Sequence, residues 1–134
     1  MARRATCPCG SGATYRDCCE AFHAHRATPA TAEQLMRSRY SAFAVGDHAY
    51  LLDTWHPATR PDRIDHDPTT TWTGLEVIAT EAGGADDDKG VVEFVAHHRT
   101  DLGAGGAVLG RLHETSRFTR RAGRWVYLRG RMHP

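Results

Sequence analysis

All four cysteines of the chain fall between positions 7 and 19, in the run CPCGSGATYRDCC. Their spacing is C-x-C, eight residues, then C-C. No other feature restricts the backbone as tightly, because thiols this close together must share one job. Four thiolates in a compact loop suit zinc, which binds them at about 2.3 Å in a closed tetrahedral site. Iron is the competing ion for a four-sulfur set. The residues between fit that task. Pro8 stiffens the first pair, while Gly10 and Gly12 reach positive φ, turn tightly and aim amides at the thiolates. Ser11 can cap the next turn of chain, and Thr14 to Cys19 can make one helical turn that returns the last two sulfurs to the ion. Tyr15 is placed to cover the site and Arg16 to offset its negative charge. His23 or His25 is a reserve ligand should one cysteine point away. Two other arrangements compete: a pair of disulfides, which a reducing compartment disfavours and which would strain a Cys18–Cys19 bridge, and four free thiols. Four protein ligands leave no position for water, so such an ion is structural or marks a docking surface, and is not catalytic.

The rest of the 134 residues suffices for one domain of ordinary size, and we divide the chain into a metal module at 1–27 and a larger domain at 28–134. No apolar run approaches the roughly 18 to 20 residues that span a bilayer. The start, MARRAT, is basic, but no apolar stretch comes after it, so no secretory signal is expected and the expected location is the cytoplasm. The net charge of +1 is unevenly spread. From Arg111 onward the charged residues are Arg111, Arg117, Arg120, Arg121, Arg124, Arg129 and Arg131 against Glu114 alone, while acids such as Asp86, Asp87 and Asp88 gather in the middle. A basic tail of this kind is a solvated hairpin face or a surface for an acidic partner, nucleic acid included.

After Pro29 the hydrophobic period is helical. Thr31 can cap a helix with Glu33 in its first turn, where the dipole favours an anion. Leu35, Met36, Tyr40, Phe43 and Ala44 recur at helical spacing, and Gly46 ends the segment. Asp47 can cap a short second helix with Tyr50, Leu51, Leu52 and Trp55, stopped by Pro57. Residues 58–71 are polar and read as a loop. From Trp72 the period becomes two. Four strands are predicted, over 72–81, 91–100, 108–119 and 124–132, joined by an acidic turn, a glycine-rich turn and a tight Arg121-Ala122-Gly123 hairpin. Val92, Phe94, Ala96 and His98 share one face of the second strand. Leu112, Glu114, Ser116 and Phe118 share one face of the third. Helices succeeded by an antiparallel meander define an α+β domain.

Two resemblances emerge from these pieces. CPCGSGATYRDCC resembles the SEC-C motif, the small metal-binding module at the end of the SecA translocation motor, with Cys19 standing where that motor has a histidine. The whole order resembles the YchJ-type proteins, a bacterial family that joins a SEC-C module to an NTF2-like domain. The segments that carry it are CPCGSGATYRDCC, LMRSRYSAF, YLLDTWHP, WTGLEVI, VVEFVA, HETSRF and WVYLRG. The resemblance implies an NTF2-like, cystatin-like cone of helices on a curved antiparallel sheet. Many relatives carry a second SEC-C module at the C-terminus, which this sequence lacks before Pro134, and Arg129 stands where relatives often have an acid.

Few residues suggest chemistry beyond the cysteines. Glu114 shares a face with Phe118, so its carboxylate must be paired or protonated, with Arg37 or Arg39 as partner. The alternative makes Glu114 a general base in a pocket, with His98 or His56 beside it. His97, His98 and His113 invite a second metal site, but adjacent His97 and His98 point to opposite faces and do not easily share an ion. The reading therefore favours an interaction protein over an enzyme. Its zinc module, with Arg3, Arg4 and Arg16, would dock on a protein partner. The SecA resemblance implies partners in secretion or on the ribosome. The alternatives are a small-molecule binder or enzyme using the cone pocket, and direct RNA contact through the arginine hairpin. NTF2-like domains pair through the open sheet face, so a homodimer is a further expectation.

Overall fold

The computed structural model describes residues 6–134. Arg3 and Arg4 lie outside the described residues. The cysteine loop leads into a short helix α1 (Cys19–His23), then α2 (Ala32–Val45) and α3 (His48–Asp53). Four strands complete the chain: β1 (Thr70–Ala82), β2 (Lys89–Asp101), β3 (Ala107–Arg121) and β4 (Arg124–Met132). They form one antiparallel sheet in the order β1-β2-β3-β4.

The capping residues act as their chemistry dictates. Thr31 Oγ1 accepts from Gln34 N at 3.1 Å, and Gln34 Oε1 accepts in return from Ala30 N at 2.8 Å. This reciprocal arrangement satisfies two amides near the start of α2. The helix ends where Gly46 takes φ 80, a conformation that costs a residue with a Cβ. Asp47 then caps α3 by accepting from Tyr50 N at 3.1 Å. This helix is shorter than predicted. Trp55 has left it for a parallel bridge with Tyr127, because β4 captures the backbone there: Tyr127 N donates to Thr54 O at 2.7 Å and His56 N to Tyr127 O at 2.8 Å. The predicted helical turn at 14–19 likewise forms later, as α1.

One face of α2 lies on the inner face of the sheet. Leu35, Met36 and Tyr40 pack there with Val92, Ala96, Phe118 and Trp125. Leu35 and Val92 are fully buried, a contribution of roughly 1.5–3 kcal/mol each. Trp125 Nε1 donates to Ala30 O at 3.1 Å and so ties the start of β4 to the entrance of α2. A second cluster of Ala42, Tyr50 and Leu51, joined by Phe22 and Ile64, holds α2 to α3. Among the described residues no helix is long and apolar enough to cross a membrane.

Candidate functional site

The cysteine loop is a small hairpin. Cys7 N donates to Ala13 O at 2.8 Å, Gly10 N to Cys7 O at 3.1 Å, and Gly10 and Gly12 have φ 82 and 86. The turn brings the four sulfurs within 4.8 Å of one another. Cys9 Sγ lies 3.6 Å from Cys18 Sγ, which lies 3.9 Å from Cys19 Sγ. A disulfide needs about 2.05 Å, so these are not bonded pairs. A tetrahedron with metal–sulfur bonds of about 2.3 Å has edges of about 3.8 Å, and the spacing fits such an ion. Cys7, Cys9 and Cys19 are buried, with Tyr15 and Leu75 packed on them. The buried thiols cannot all ionise without a cation. Cys7 is pulled well below the ordinary thiol range by hydrogen bonds from Cys19 and Cys9, and Cys19 is pushed up as the matching donor. Burial raises Cys18. A bound metal ion would hold all four as thiolates and close the loop.

The loop is tied to α2. Arg37 donates to Cys9 O at 2.7 Å and to Glu33 at 3.0 Å, and Ser41 Oγ lies 3.4 Å from Cys7 Sγ. Neither reserve histidine faces the sulfurs. His23 bridges Tyr15 OH at 2.6 Å and Ser38 O at 2.8 Å, fastening α1 to α2, and His25 lies 3.9 Å from Asp53.

Below α2 a cavity of about 300 Å³ opens between the helices and the sheet. Its walls are mostly apolar, including Met36, Tyr40, Phe43, Trp72, Phe94 and Leu112. Its polar lining is Arg39, Glu114, Ser116, Tyr127 and Trp55. The expected partnership between Glu114 and an arginine of α2 does not form. Arg37 points to the cysteine loop. Arg39 turns to the end of α3, where Nη1 donates to Leu51 O at 2.8 Å and Thr54 Oγ1 at 2.7 Å, filling an acceptor that the last helical turn leaves open. Its guanidinium also lies 4.9 Å from the Trp55 ring centroid and 4.7 Å from that of Tyr127. Among the described residues no carboxylate lies within 4.0 Å of Arg39. Burial lowers its pKa to about 10.

Glu114 is held by neutral donors instead: the Ser116 hydroxyl, and Tyr127 OH at 3.3 Å. Burial, with the Glu114 charge beside it, pushes the Tyr127 phenol up to about 12. Gly130 supplies the space, since a Cβ there would collide with the Glu114 carboxylate. The proposed base is thus in the cavity, but its companions are not. His98 packs edge-on against Trp72, with centroids 5.5 Å apart, and lines a neighbouring groove. His56 shapes a turn, its Nδ1 accepting from Ala58 N at 2.9 Å. Their strand and loop positions set them apart from Glu114, so the three do not form the grouping that the sequence suggests. Trp55 lines the cavity with Tyr40, Trp72 and Tyr127, and Arg39 lines it without the Glu114 partnership that the sequence suggests. Trp55 Nε1 is buried and has no hydrogen-bond partner among the described residues. In the basic tail, Arg120 is engaged: it stacks 4.5 Å from the Trp125 ring centroid and donates to Asp87 O at 2.9 Å.

A four-cysteine hairpin fastened to a helix-on-sheet domain with an inner cavity is the arrangement of a SEC-C motif joined to an NTF2-like domain. Residues 3–21 match the SEC-C motif, and residues 31–130 match the family described as YchJ, middle NTF2-like domain. The chain belongs to this YchJ family, the UPF0225 proteins. It is 51% identical over 124 residues to a UPF0225 protein of Streptomyces coelicolor, covering 92% of this chain and 93% of that one. It is 50% identical over 131 residues to one of Chromobacterium violaceum, covering 95% and 93%. The fold is similar to the solution structure of a SEC-C motif containing protein from Rhodopseudomonas palustris, with TM-score 0.79, 36% identity and coverage of 96% and 98%. It is also similar to the crystal structure of a SEC-C motif containing protein from Psychrobacter arcticus, with TM-score 0.74, 28% identity and coverage of 99% and 85%.

Proposed function

We infer that the chain is a metal-braced binding domain: its NTF2-like cone takes a small amphipathic molecule, and a Zn2+ ion in the cysteine loop is a structural brace. The observation that carries this is the cavity. It is open, aromatic along its walls, and bounded by groups with donors to spare. Ligand sites are commonly concave and mostly apolar, with a few polar groups that fix orientation. Arg39 and the unpartnered Trp55 Nε1 favour an acidic or acceptor-rich head on a flat apolar body. Glu114, Ser116 and Tyr127 offer places for a ligand donor. Cys7, Cys9, Cys18 and Cys19 supply four soft ligands to the ion, which contributes no open coordination position. The test is a ligand-observed NMR screen of aromatic and aliphatic carboxylic acids against the metal-loaded protein, repeated with Leu112→Trp, which fills the cavity. Binding by the parent and none by the filled variant supports the reading. Equal binding by both, or no binder across the acid set, overturns it.

The docking reading rests on a different observation. Gly10, Ser11, Gly12, Ala13 and Arg16 form an exposed rim on the cysteine loop, available to a protein partner, ribosomal or secretory. Capture of such a partner by the intact protein and not by a Cys7→Ser, Cys9→Ser variant would favour docking over bracing alone.

A further inference from the structure

The outer face of the sheet carries a side-chain cluster that neither the cavity nor the cysteine loop uses. Glu93 on β2 lies opposite Thr115 in the register, and His113 on β3 lies opposite Val95. The two side chains meet diagonally, with His113 Nε2 2.6 Å from Glu93 Oε2. His133, just past β4, lies back over β3. Its backbone N–H donates to His113 O at 2.8 Å. Its ring stacks on that of His113, with centroids 4.0 Å apart and planes at 16°. Its Nε2 lies 2.7 Å from Thr115 Oγ1. All three side chains are half-buried, and one ligand atom from each lies within 4.8 Å of the other two.

We propose that Glu93, His113 and His133 form a second metal site, which takes a divalent first-row transition ion through one carboxylate oxygen and two imidazole nitrogens. Imidazole with carboxylate suits ions such as Zn2+, Ni2+ or Co2+. Three ligands leave positions for water, unlike the four-thiolate set. On binding, the His113 ring carries its hydrogen on Nδ1, and the ion takes the place between Nε2 and the Glu93 carboxylate. The 2.6 Å separation of their ligand atoms then opens to roughly 3.3 Å, the edge of a polyhedron with bonds of about 2.0–2.1 Å. Thr115 plays the outer role: a hydroxyl accepting from His133 Nε2–H leaves the Nδ1 lone pair for the ion. The neighbouring pair of His97 and Glu76, also at 2.6 Å, has no third ligand beside it among the described residues and serves as an internal control. The ligand set differs from the His97, His98 and His113 grouping that the sequence suggests, because β-alternation turns His98 to the inner face while the chain's end brings His133 to the outer one. An ion here would fasten the residues after β4 onto β2 and β3.

The test is calorimetric titration of Ni2+ into protein whose cysteine loop is already loaded with zinc. One further equivalent is expected. His133→Ala, at a residue past the last strand, and Glu93→Gln should each weaken it roughly tenfold or more. Nickel should broaden the ring resonances of His113 and His133 and spare those of His97. The proposal is overturned by the absence of saturable binding at millimolar Ni2+, or by a second equivalent whose affinity His133→Ala leaves unchanged.

Discussion

Replacing Gly130 with alanine tests the account of Glu114 directly. Gly130 does not have positive φ, so the backbone accepts alanine and only the new methyl matters. That methyl would fall on the Glu114 carboxylate and 2.9 Å from Tyr127 OH. The carboxylate must then move and surrender the hydrogen bonds from Ser116 and Tyr127. Glu114 is only 8% exposed, so water cannot replace them in full. A hydrogen bond to a charged group contributes about 1.5–3 kcal/mol. Overpacking adds about 1–3 kcal/mol. These terms overlap, and a net loss of about 3–4 kcal/mol is expected, with Tm falling by roughly 10–15 °C. Urea unfolding of the metal-loaded protein measures it. The same substitution in a Glu114→Ala background has free space and should cost under about 0.5 kcal/mol, so the double-mutant cycle should return a coupling of about 3 kcal/mol. An equal cost in both backgrounds would refute the reasoning, since the strain would then lie elsewhere.

Other expectations rest on the same structure. Arg39→Met should destabilise by roughly 2–4 kcal/mol in urea unfolding, because Leu51 O and Thr54 Oγ1 lose their donor inside the protein; lysine, lacking the planar fork, should restore little. Stability should fall as pH rises from about 10 towards 12. Burial pushes the phenols of Tyr50 and Tyr127 up to about 12 from an ordinary 10, so the folded state holds protons that the unfolded chain releases. Arg39, lowered to about 10 from 12.5, acts with the opposite sign over much of that range, and Tyr15, also raised to about 12, adds to the tyrosine side. Tyrosinate absorbance tracked with circular dichroism should show ionisation and unfolding together; ionisation of all the tyrosines near pH 10 with the fold intact would contradict this. Chelation of the loop metal should lower Tm by more than about 10 °C, since binding and loop closure share one free energy. An unchanged Tm together with no metal in the purified protein would show that the four sulfurs hold none.

Local signals in the sequence carried far. Thr31, Gly46 and Asp47 marked the helix ends because capping needs only neighbouring atoms, and all three do that work. Alternation placed Leu112, Glu114, Ser116 and Phe118 on one face, and all four line the cavity. What stayed hidden depends on contacts distant in the chain. The second helix ended early because Tyr127, far along the sequence, captures the backbone at Thr54 and His56. The pairing with Glu114 offered for Arg39 failed because its acceptors sit on α3 and its aromatic partners on α3's flank and β4. His133 gave no signal, since a residue beyond the last strand has no periodicity to read.

The bridge between Trp55 and Tyr127 has a further consequence for how the protein avoids other copies of itself. An open sheet ends in two strands whose outward amides and carbonyls can recruit foreign chains. On the β4 side, the segment after α3 occupies part of that row, with Thr59 Oγ1 also donating to Leu128 O at 2.5 Å. On the β1 side, irregularities in pairing at 72–74 and 77–79 interrupt the straight edge, and Gly10 of the cysteine loop sits close to Leu75 O. The segments that frame the cavity and hold the thiols are therefore also the guards of the sheet, and a chain that loses their placement exposes sticky β-edges to its neighbours.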